Sequence, residues 1–230
     1  MEQTHSFALS ATALKLLALA AMTADHIGVL FFPGADAFRI VGRLAFPIFS
    51  FMIAEGCRHT RSMARYLGSI ALLAFVCQLV YFFVERSLYM CVLVVFALAI
   101  PLILLWQAAV EKPALALAAL AYMGGVYLLC EHPPELLAAH GFAIDYGFCG
   151  VMLPVLISLS REKWPRLAFT ALGLCLLGIT MGGVQWWGLA ALVPLALYNG
   201  QRGRFRLKYL FYLYYPLHLA ALEGLHRLLT

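Results

Sequence analysis

The sequence predicts an all-α, polytopic membrane protein: a bundle of about nine transmembrane helices with its N-terminus in the cytoplasm. Of its 230 residues, 64% are apolar and only 12% are charged, about half the charged fraction of a typical soluble domain. The apolar runs are continuous and rich in Leu and Ala, which indicates helices because a spanning β-strand would alternate apolar and polar residues. Nine spans of about 20 residues would use most of the chain. We therefore expect one integral-membrane domain over residues 1–230.

Nine apolar segments are candidate spans. They cover residues 13–32, 38–55, 66–84, 88–110, 113–130, 144–159, 166–181, 184–198 and 207–228. The first segment contains Lys15 and then a long apolar run with Asp25 and His26, and no small-residue cleavage site follows it. This pattern favours a span over a signal peptide.

The basic residues predict the orientation of the spans. Eleven of the sixteen lie in alternate, even-numbered connections: Arg58, Arg61, Arg65, Lys112, Arg161, Lys163, Arg166, Arg202, Arg204, Arg206 and Lys208. The odd-numbered connections carry mainly carboxylates, at Asp36, Glu85, Glu131, Glu135 and Asp145. The positive-inside rule then places the N-terminus in the cytoplasm and the C-terminus outside. The basic residues near 202–208 are expected to anchor a span against lipid rather than to bind nucleic acid.

Asp25 and His26 are adjacent in the outer half of the first span. Ionisable groups at membrane depth are costly and commonly mark functional sites, and an imidazole beside a carboxylate is a frequent general-base arrangement. Neighbouring residues on a helix do not face each other, so each side chain could pair with a different helix. The alternative is structural: a salt bridge from Asp25 and a buried polar contact for His26.

Arg39 and Arg43 stand four residues apart in the second span, and the same helical face would continue through Glu55 to His59. Because the first two spans are antiparallel and joined by a short turn, Arg43 is the expected partner of Asp25. Two interpretations remain open here, a structural ion pair and an anion-binding site.

The last span holds His218 one turn after Tyr214 and Tyr215. Pro216 lies between them and would loosen the helix, which is tolerated where a helix lines a cavity. We therefore predict that His218 and a tyrosine hydroxyl belong to a functional site.

Two further groups lie at span ends. Arg58, His59 and Arg61 form a basic cytoplasmic stretch that could bind the phosphates of a nucleotide-like cofactor, although positive-inside anchoring is the stronger interpretation. Asp145 and Tyr146 begin the sixth span on the outer side. The six cysteines have no metal-ligand spacing, so neither a metal site nor a disulfide framework is predicted.

These residues resemble the TraX family. The resemblance is carried by Leu14–Leu16, Met22–Gly28, Arg39–Phe49, Glu55–Gly56, His59–Arg61, Asp145–Gly147 and Tyr212–His218. It runs along most of the chain, and its most specific motifs lie in the first 80 residues.

The resemblance implies a membrane N-acetyltransferase of the bacterial inner membrane, with acetyl-CoA as donor and a pilin N-terminus or a small molecule as acceptor. By likeness to the wider class of integral-membrane acyltransferases, His26 would be the catalytic histidine. The implied catalytic set is His26, Asp25, Arg43, His218 and Tyr215. The CoA phosphates would meet Arg58, His59 and Arg61, and substrate would contact Arg39, Glu55, Asp145 and Tyr146.

Two other classes of protein fit the same residues. A proton-coupled transporter also places Asp, His, Arg and Glu inside the membrane, although the chain lacks the paired halves with broken helices that many carriers have. A structural component of a conjugation or secretion machine would use its polar residues only to hold helices together. Binding of acyl-CoA separates the enzyme from both.

Overall fold

A computed structural model of the chain describes residues 8–203 and 208–229. The fold is almost entirely helical, with helices α1–α11 spanning Ala11–Phe31, Asp36–Gly42, Ala45–His59, Met63–Glu85, Val92–Glu111, Ala114–Glu131, Glu135–Ala138, Gly147–Ser158, Lys163–Met181, Leu192–Ala196 and Lys208–Leu229. A 3₁₀ helix, Gly183–Ala191, precedes α10. Two short strands, β1 (Tyr89–Met90) and β2 (Ala143–Ile144), pair in parallel.

Among the described residues, six helical segments are long and apolar enough to cross a membrane. They are Ala11–Phe31, Asp36–His59, Met63–Phe83, Val92–Glu111, Ala114–Glu131 and Lys163–Met181. Gly147–Ser158 and Gly183–Ala196 are shorter apolar helices. The all-α, multi-pass membrane architecture is therefore confirmed, whereas nine crossings and a cytoplasmic N-terminus stay predictions.

Backbone hydrogen bonds join segments that lie outside the long helices. The Leu9 amide donates to the Leu197 carbonyl at 2.8 Å, and the Asn199 amide donates to the Leu9 carbonyl at 3.0 Å. The two strands likewise join the connection before α5 to the connection before α8. Each pairing holds together two segments that are distant in the sequence.

The chain divides into two compact units, Met1–Met52 with Gly183–Thr230, and Ile53–Gly182. In the first unit α1 packs against α2 and α11. Its buried face follows helical spacing through Leu14, Ala18 and Met22 and leads to Asp25 one turn later. The apolar face of α1 thus leads directly into the polar cluster.

The predicted second span corresponds to one helical segment, Asp36–His59. A short turn divides it into α2, which ends at Gly42, and α3, which begins at Ala45. Pro47 accounts for the turn, because it has no amide hydrogen and its ring crowds the carbonyl of Arg43, four residues earlier. The shared face from Arg39 to Glu55 stays a prediction.

In the second unit, α5 lies at the centre and contacts α4, α6 and α8. Helices α8 and α9 approach closely at Gly173. This approach requires glycine, because a side chain at position 173 would collide with Leu153. Helix α4 exposes apolar side chains such as Phe75 and Phe83. Apolar surface of this kind fits contact with lipid.

Candidate functional site

The first unit encloses an ion-pair cluster centred on Asp25. The Arg43 guanidinium donates from one nitrogen to both carboxylate oxygens, at 2.7 and 2.9 Å. Arg39 reaches the same carboxylate at 2.9 Å. The predicted Asp25–Arg43 pair is therefore confirmed, and two guanidinium groups share one carboxylate. The three side chains together carry one positive charge in excess.

Local sequence permits this close approach. Gly42 lies against Asp25, and any side chain there would collide with the carboxylate. Arg39 and Arg43 are separated by one helical turn, which brings both to the same side of α1. Burial differs between them: the Arg43 side chain is 8% exposed and the Arg39 side chain 34%.

A buried amide completes the bonding of Arg43. Gln185, in the 3₁₀ helix, accepts from Arg43 through Oε1 at 3.1 Å and is 4% exposed. Arg43 also donates from Nε to the Arg39 carbonyl at 3.3 Å. Nε and both terminal nitrogens of Arg43 are thus engaged within the protein, whereas the Arg39 side chain is more exposed.

His26 pairs with His218 rather than with Asp25. The Nδ1 of His26 lies 2.9 Å from the Met22 carbonyl oxygen and 3.3 Å from Nε2 of His218. The Nδ1 of His218 lies 2.8 Å from the Tyr214 carbonyl oxygen. This arrangement confirms that the adjacent Asp25 and His26 pair with different helices.

These contacts assign the neutral tautomers. A carbonyl oxygen only accepts, so each Nδ1 carries the hydrogen. The Nε2 of His218 is then an acceptor for the Nδ1 hydrogen of His26, and the Nε2 of His26 keeps its lone pair. None of the described residues bonds that nitrogen. In the neutral ring, Nε2 of His26 is therefore the nitrogen that can take a proton.

Aromatic side chains fix the second imidazole. The Tyr214 ring stacks on His218, with ring centroids 5.1 Å apart, and the Tyr215 ring meets it edge-on at 5.6 Å. The Thr23 hydroxyl donates to the Leu19 carbonyl, so the Tyr214 hydroxyl donates to Thr23 in their 2.6 Å contact. The hydroxyl of Tyr214, a residue that the sequence analysis places beside His218, is thus bonded to α1 through Thr23.

An open pocket of about 330 Å³ lies beside this cluster. It is lined by Gly28, Val29, Pro33, Asp36, Arg39 and Val184. Its polar lining offers one guanidinium and one carboxylate, from Arg39 and Asp36. Such a pair suits a ligand that carries an amine close to a carbonyl or anionic group.

Glu55 lies in the second unit, in a separate polar cluster. Its carboxylate meets Arg166 at 2.6 Å, His59 at 3.1 Å and Arg58 at 3.7 Å. Arg166 is buried, although the sequence suggested only a topology signal there. These internal bonds favour a structural role for Glu55. They also engage Arg58 and His59, two of the three residues predicted to contact phosphate. The third, Arg61, is exposed.

Asp145 and Tyr146 also lie in the second unit. The Tyr89 hydroxyl donates to Asp145 at 2.8 Å. Burial of the Tyr89 hydroxyl raises its pKa well above the usual value, and the neighbouring Asp145 carboxylate raises it further. The hydroxyl therefore keeps its proton and remains a donor. Tyr146 has a left-handed backbone with φ of 59°. These contacts tie β1 to the start of α8.

Sequence reasoning missed Gln185 and the burial of Arg166. Gln185 carries no charge and lies beside Trp186 in an apolar stretch, so only its position inside a predicted span could have signalled it. Two parts of the sequence predictions lie outside the described residues. They are residues 204–207 with the side chain of Lys208, and the side chain of Tyr212.

The helices and the polar side chains between them define the class of protein. It is a multi-pass membrane protein with a histidine pair and an ion-pair cluster among its helices. The chain belongs to the TraX family, because the model of the TraX protein family matches residues 10–226. The Dichelobacter nodosus protein named "Probable fimbrial assembly protein FimC, serogroup H1" is 28% identical over 246 residues, covering 93% of this chain and 94% of that protein.

Two further comparisons complete the picture. "Uncharacterized protein RP591" of Rickettsia prowazekii (strain Madrid E) is 53% identical over 38 residues, 16% of this chain and 15% of that protein. No solved structure matches the chain significantly. The family likeness therefore extends over nearly the whole chain, while the second likeness is local.

Proposed function

We propose that this protein is an acetyltransferase of the bacterial inner membrane, moving an acetyl group from acetyl-CoA to an amine such as a pilin N-terminus, or to a hydroxyl. The observation that carries the proposal is the Nε2 of His26, which keeps a lone pair while its other ring nitrogen is held by Met22 and His218. A general base needs this arrangement.

Each residue has a distinct part in the proposed reaction. His26 takes a proton from the acceptor amine while the amine nitrogen attacks the thioester carbonyl carbon. The nitrogen–carbon bond forms, the carbon–sulfur bond breaks, and the CoA thiolate leaves with the proton returned by His26. His218 holds the tautomer of His26, Tyr214 and Tyr215 hold His218, and Asp25 fixes Arg39 and Arg43.

The pocket beside Arg39 supports an amine acceptor. The carboxylate of Asp36 would attract the ammonium form, and Arg39 would bind the neighbouring carbonyl oxygen. The relative named as a fimbrial assembly protein supports a fimbrial or pilin subunit as the source of that amine.

The donor phosphates have two candidate contacts. One is the predicted group of Arg58, His59 and Arg61, of which Arg61 is the most available. The other lies in the first unit, where the charge of Arg202 acts on Lys15. Lys15 precedes His26 by eleven residues, about 16 Å along α1 at about 1.5 Å per residue, so an extended pantetheine arm fits between them.

The test is transfer of isotope-labelled acetyl from acetyl-CoA by the protein in nanodiscs. A peptide with a free N-terminus is compared with the same peptide blocked at that end, and products are identified by mass spectrometry. We expect label on the free N-terminus, lost in His26→Gln and kept in the control His140→Gln, which alters an exposed histidine. Absence of both acetyl-CoA binding and turnover in the wild type would favour the transporter or the structural component.

A matched pair of variants locates the donor phosphates. Lys15→Gln and Arg61→Gln each remove one cation. One of the two variants should raise the KM for acetyl-CoA and leave kcat unchanged. The cation removed in that variant is the one that binds the donor phosphates, and it binds them equally in the ground and transition states.

A further inference from the structure

Gln185 has one polar atom that the ion-pair cluster does not explain. Its Oε1 accepts from Arg43. A guanidinium only donates, so the amide must turn its oxygen towards Arg43 and its nitrogen away. That nitrogen, Nε2, is buried, and none of the residues that the structure describes accepts a hydrogen bond from it.

A buried donor of this kind is costly. Buried polar groups in proteins are nearly always hydrogen-bonded, and leaving one unsatisfied costs about 1–3 kcal/mol. Glutamate at position 185 would offer Arg43 the same oxygen, would balance the excess positive charge and would leave no buried donor. Holding Arg43 does not require an amide nitrogen. The amide therefore supplies an additional N–H donor, for which the described residues provide no acceptor.

Gln185 follows a residue that lines the open pocket. Val184, the preceding residue, lines the pocket together with Arg39. The local backbone is unusual, because Gly182 and Gly183 have φ of 66° and 52° and the 3₁₀ helix runs for nine residues, longer than most. An oxygen that gains negative charge beside this positively charged cluster would be stabilised by a neutral donor as well.

We propose that Nε2 of Gln185 donates a hydrogen bond to the carbonyl oxygen of the acetyl group during transfer. The inference rests on the proposed acetyltransferase function. As the acceptor nitrogen attacks, the carbonyl π electrons move onto the oxygen, which accepts from Nε2. They return when the carbon–sulfur bond breaks, and no proton leaves Gln185.

Two substitutions separate this role from a structural one. Gln185→Glu keeps an oxygen for Arg43 but removes the donor, and Gln185→Met removes both with little change in length. We expect kcat to fall by about 10²–10³ in each, as for loss of an oxyanion donor, with the KM for acetyl-CoA nearly unchanged. The control is Gln107→Glu, at an exposed position in α5. Elution volume and unfolding in detergent check that each variant folds.

A spectroscopic measurement reports the hydrogen bond itself. In wild type, the infrared carbonyl stretch of bound acetyl-CoA labelled with carbon-13 at the carbonyl should shift to lower frequency, and the shift should disappear in Gln185→Glu. If wild type transfers acetyl groups and Gln185→Glu keeps both its kcat and the shift, the inference is overturned while the proposed function stands. If wild type transfers no acetyl group, the inference falls together with the proposed function.

Discussion

Replacing Asp25 by asparagine should destabilise the first unit strongly, because it leaves two guanidinium groups without their carboxylate. The carboxylate is 17% exposed and Arg43 is 8% exposed. Their 2.7 Å separation corresponds to about 6 kcal/mol of attraction at an effective dielectric constant of about 20, before the cost of desolvation. Removing one partner of a buried pair costs about 3–5 kcal/mol. We take about 3 kcal/mol, because Arg39 remains partly exposed.

The chain contains a matched control pair. Arg227 and Glu223 approach to 2.6 Å, but their side chains are 59% and 25% exposed. An exposed pair of this spacing contributes only about 0.3–0.5 kcal/mol. Burial rather than distance should therefore decide the ranking, with Asp25→Asn far more damaging than Glu223→Gln.

The assay is the free energy of unfolding in detergent micelles, measured for Asp25→Asn, Arg43→Met and the double variant. The double-variant cycle should give a coupling energy of about 2–3 kcal/mol. The reasoning is refuted if Asp25→Asn costs no more than Glu223→Gln, or if the two substitutions at the cluster are additive.

Three further predictions test the packing around the site. Gly42→Ala should lower the free energy of unfolding by about 1–3 kcal/mol through collision with Asp25, whereas Gly68→Ala, in an open position on α4, should be neutral or stabilising in the same measurement. Tyr214→Phe should cost about 0.5–1.5 kcal/mol by removing the hydroxyl bond to Thr23, and unchanged unfolding would argue against that bond. Glu55→Gln should destabilise the chain without changing the KM for acetyl-CoA in a steady-state assay, and a raised KM would restore its predicted ligand role.

Part of the site could be predicted from the sequence, because membrane physics makes charged residues conspicuous. Asp25 and Arg43 lie on consecutive antiparallel spans. Because the connection between these spans is short, the two side chains are expected to lie close together. The pairing of His26 with His218 could not be predicted in the same way. These residues are 192 positions apart, and helical periodicity does not reveal which helices pack together.

Other features of the site are hard to predict for physical reasons. Helical spacing alone does not place the turn between Gly42 and Ala45, although Pro47 marks a position where a helix loses a backbone hydrogen bond. The sequence indicates only a topology signal at Arg166, because a buried arginine and an anchoring arginine look alike in sequence. Gln185 was overlooked because a neutral amide adds little to a charge pattern, although its contact with Arg43 shapes the cluster.

Chemical rescue of His26→Ala tests the central claim most directly. Acetyl transfer to the free-N-terminus peptide is measured with and without added imidazole, in nanodiscs, beside the control His140→Ala. The account predicts a loss of about 10²–10⁴-fold in turnover, the usual contribution of a general base, with partial recovery when imidazole is added and no effect at position 140. Turnover by His26→Ala close to that of wild type, with or without imidazole, would contradict the assignment of His26 as the base.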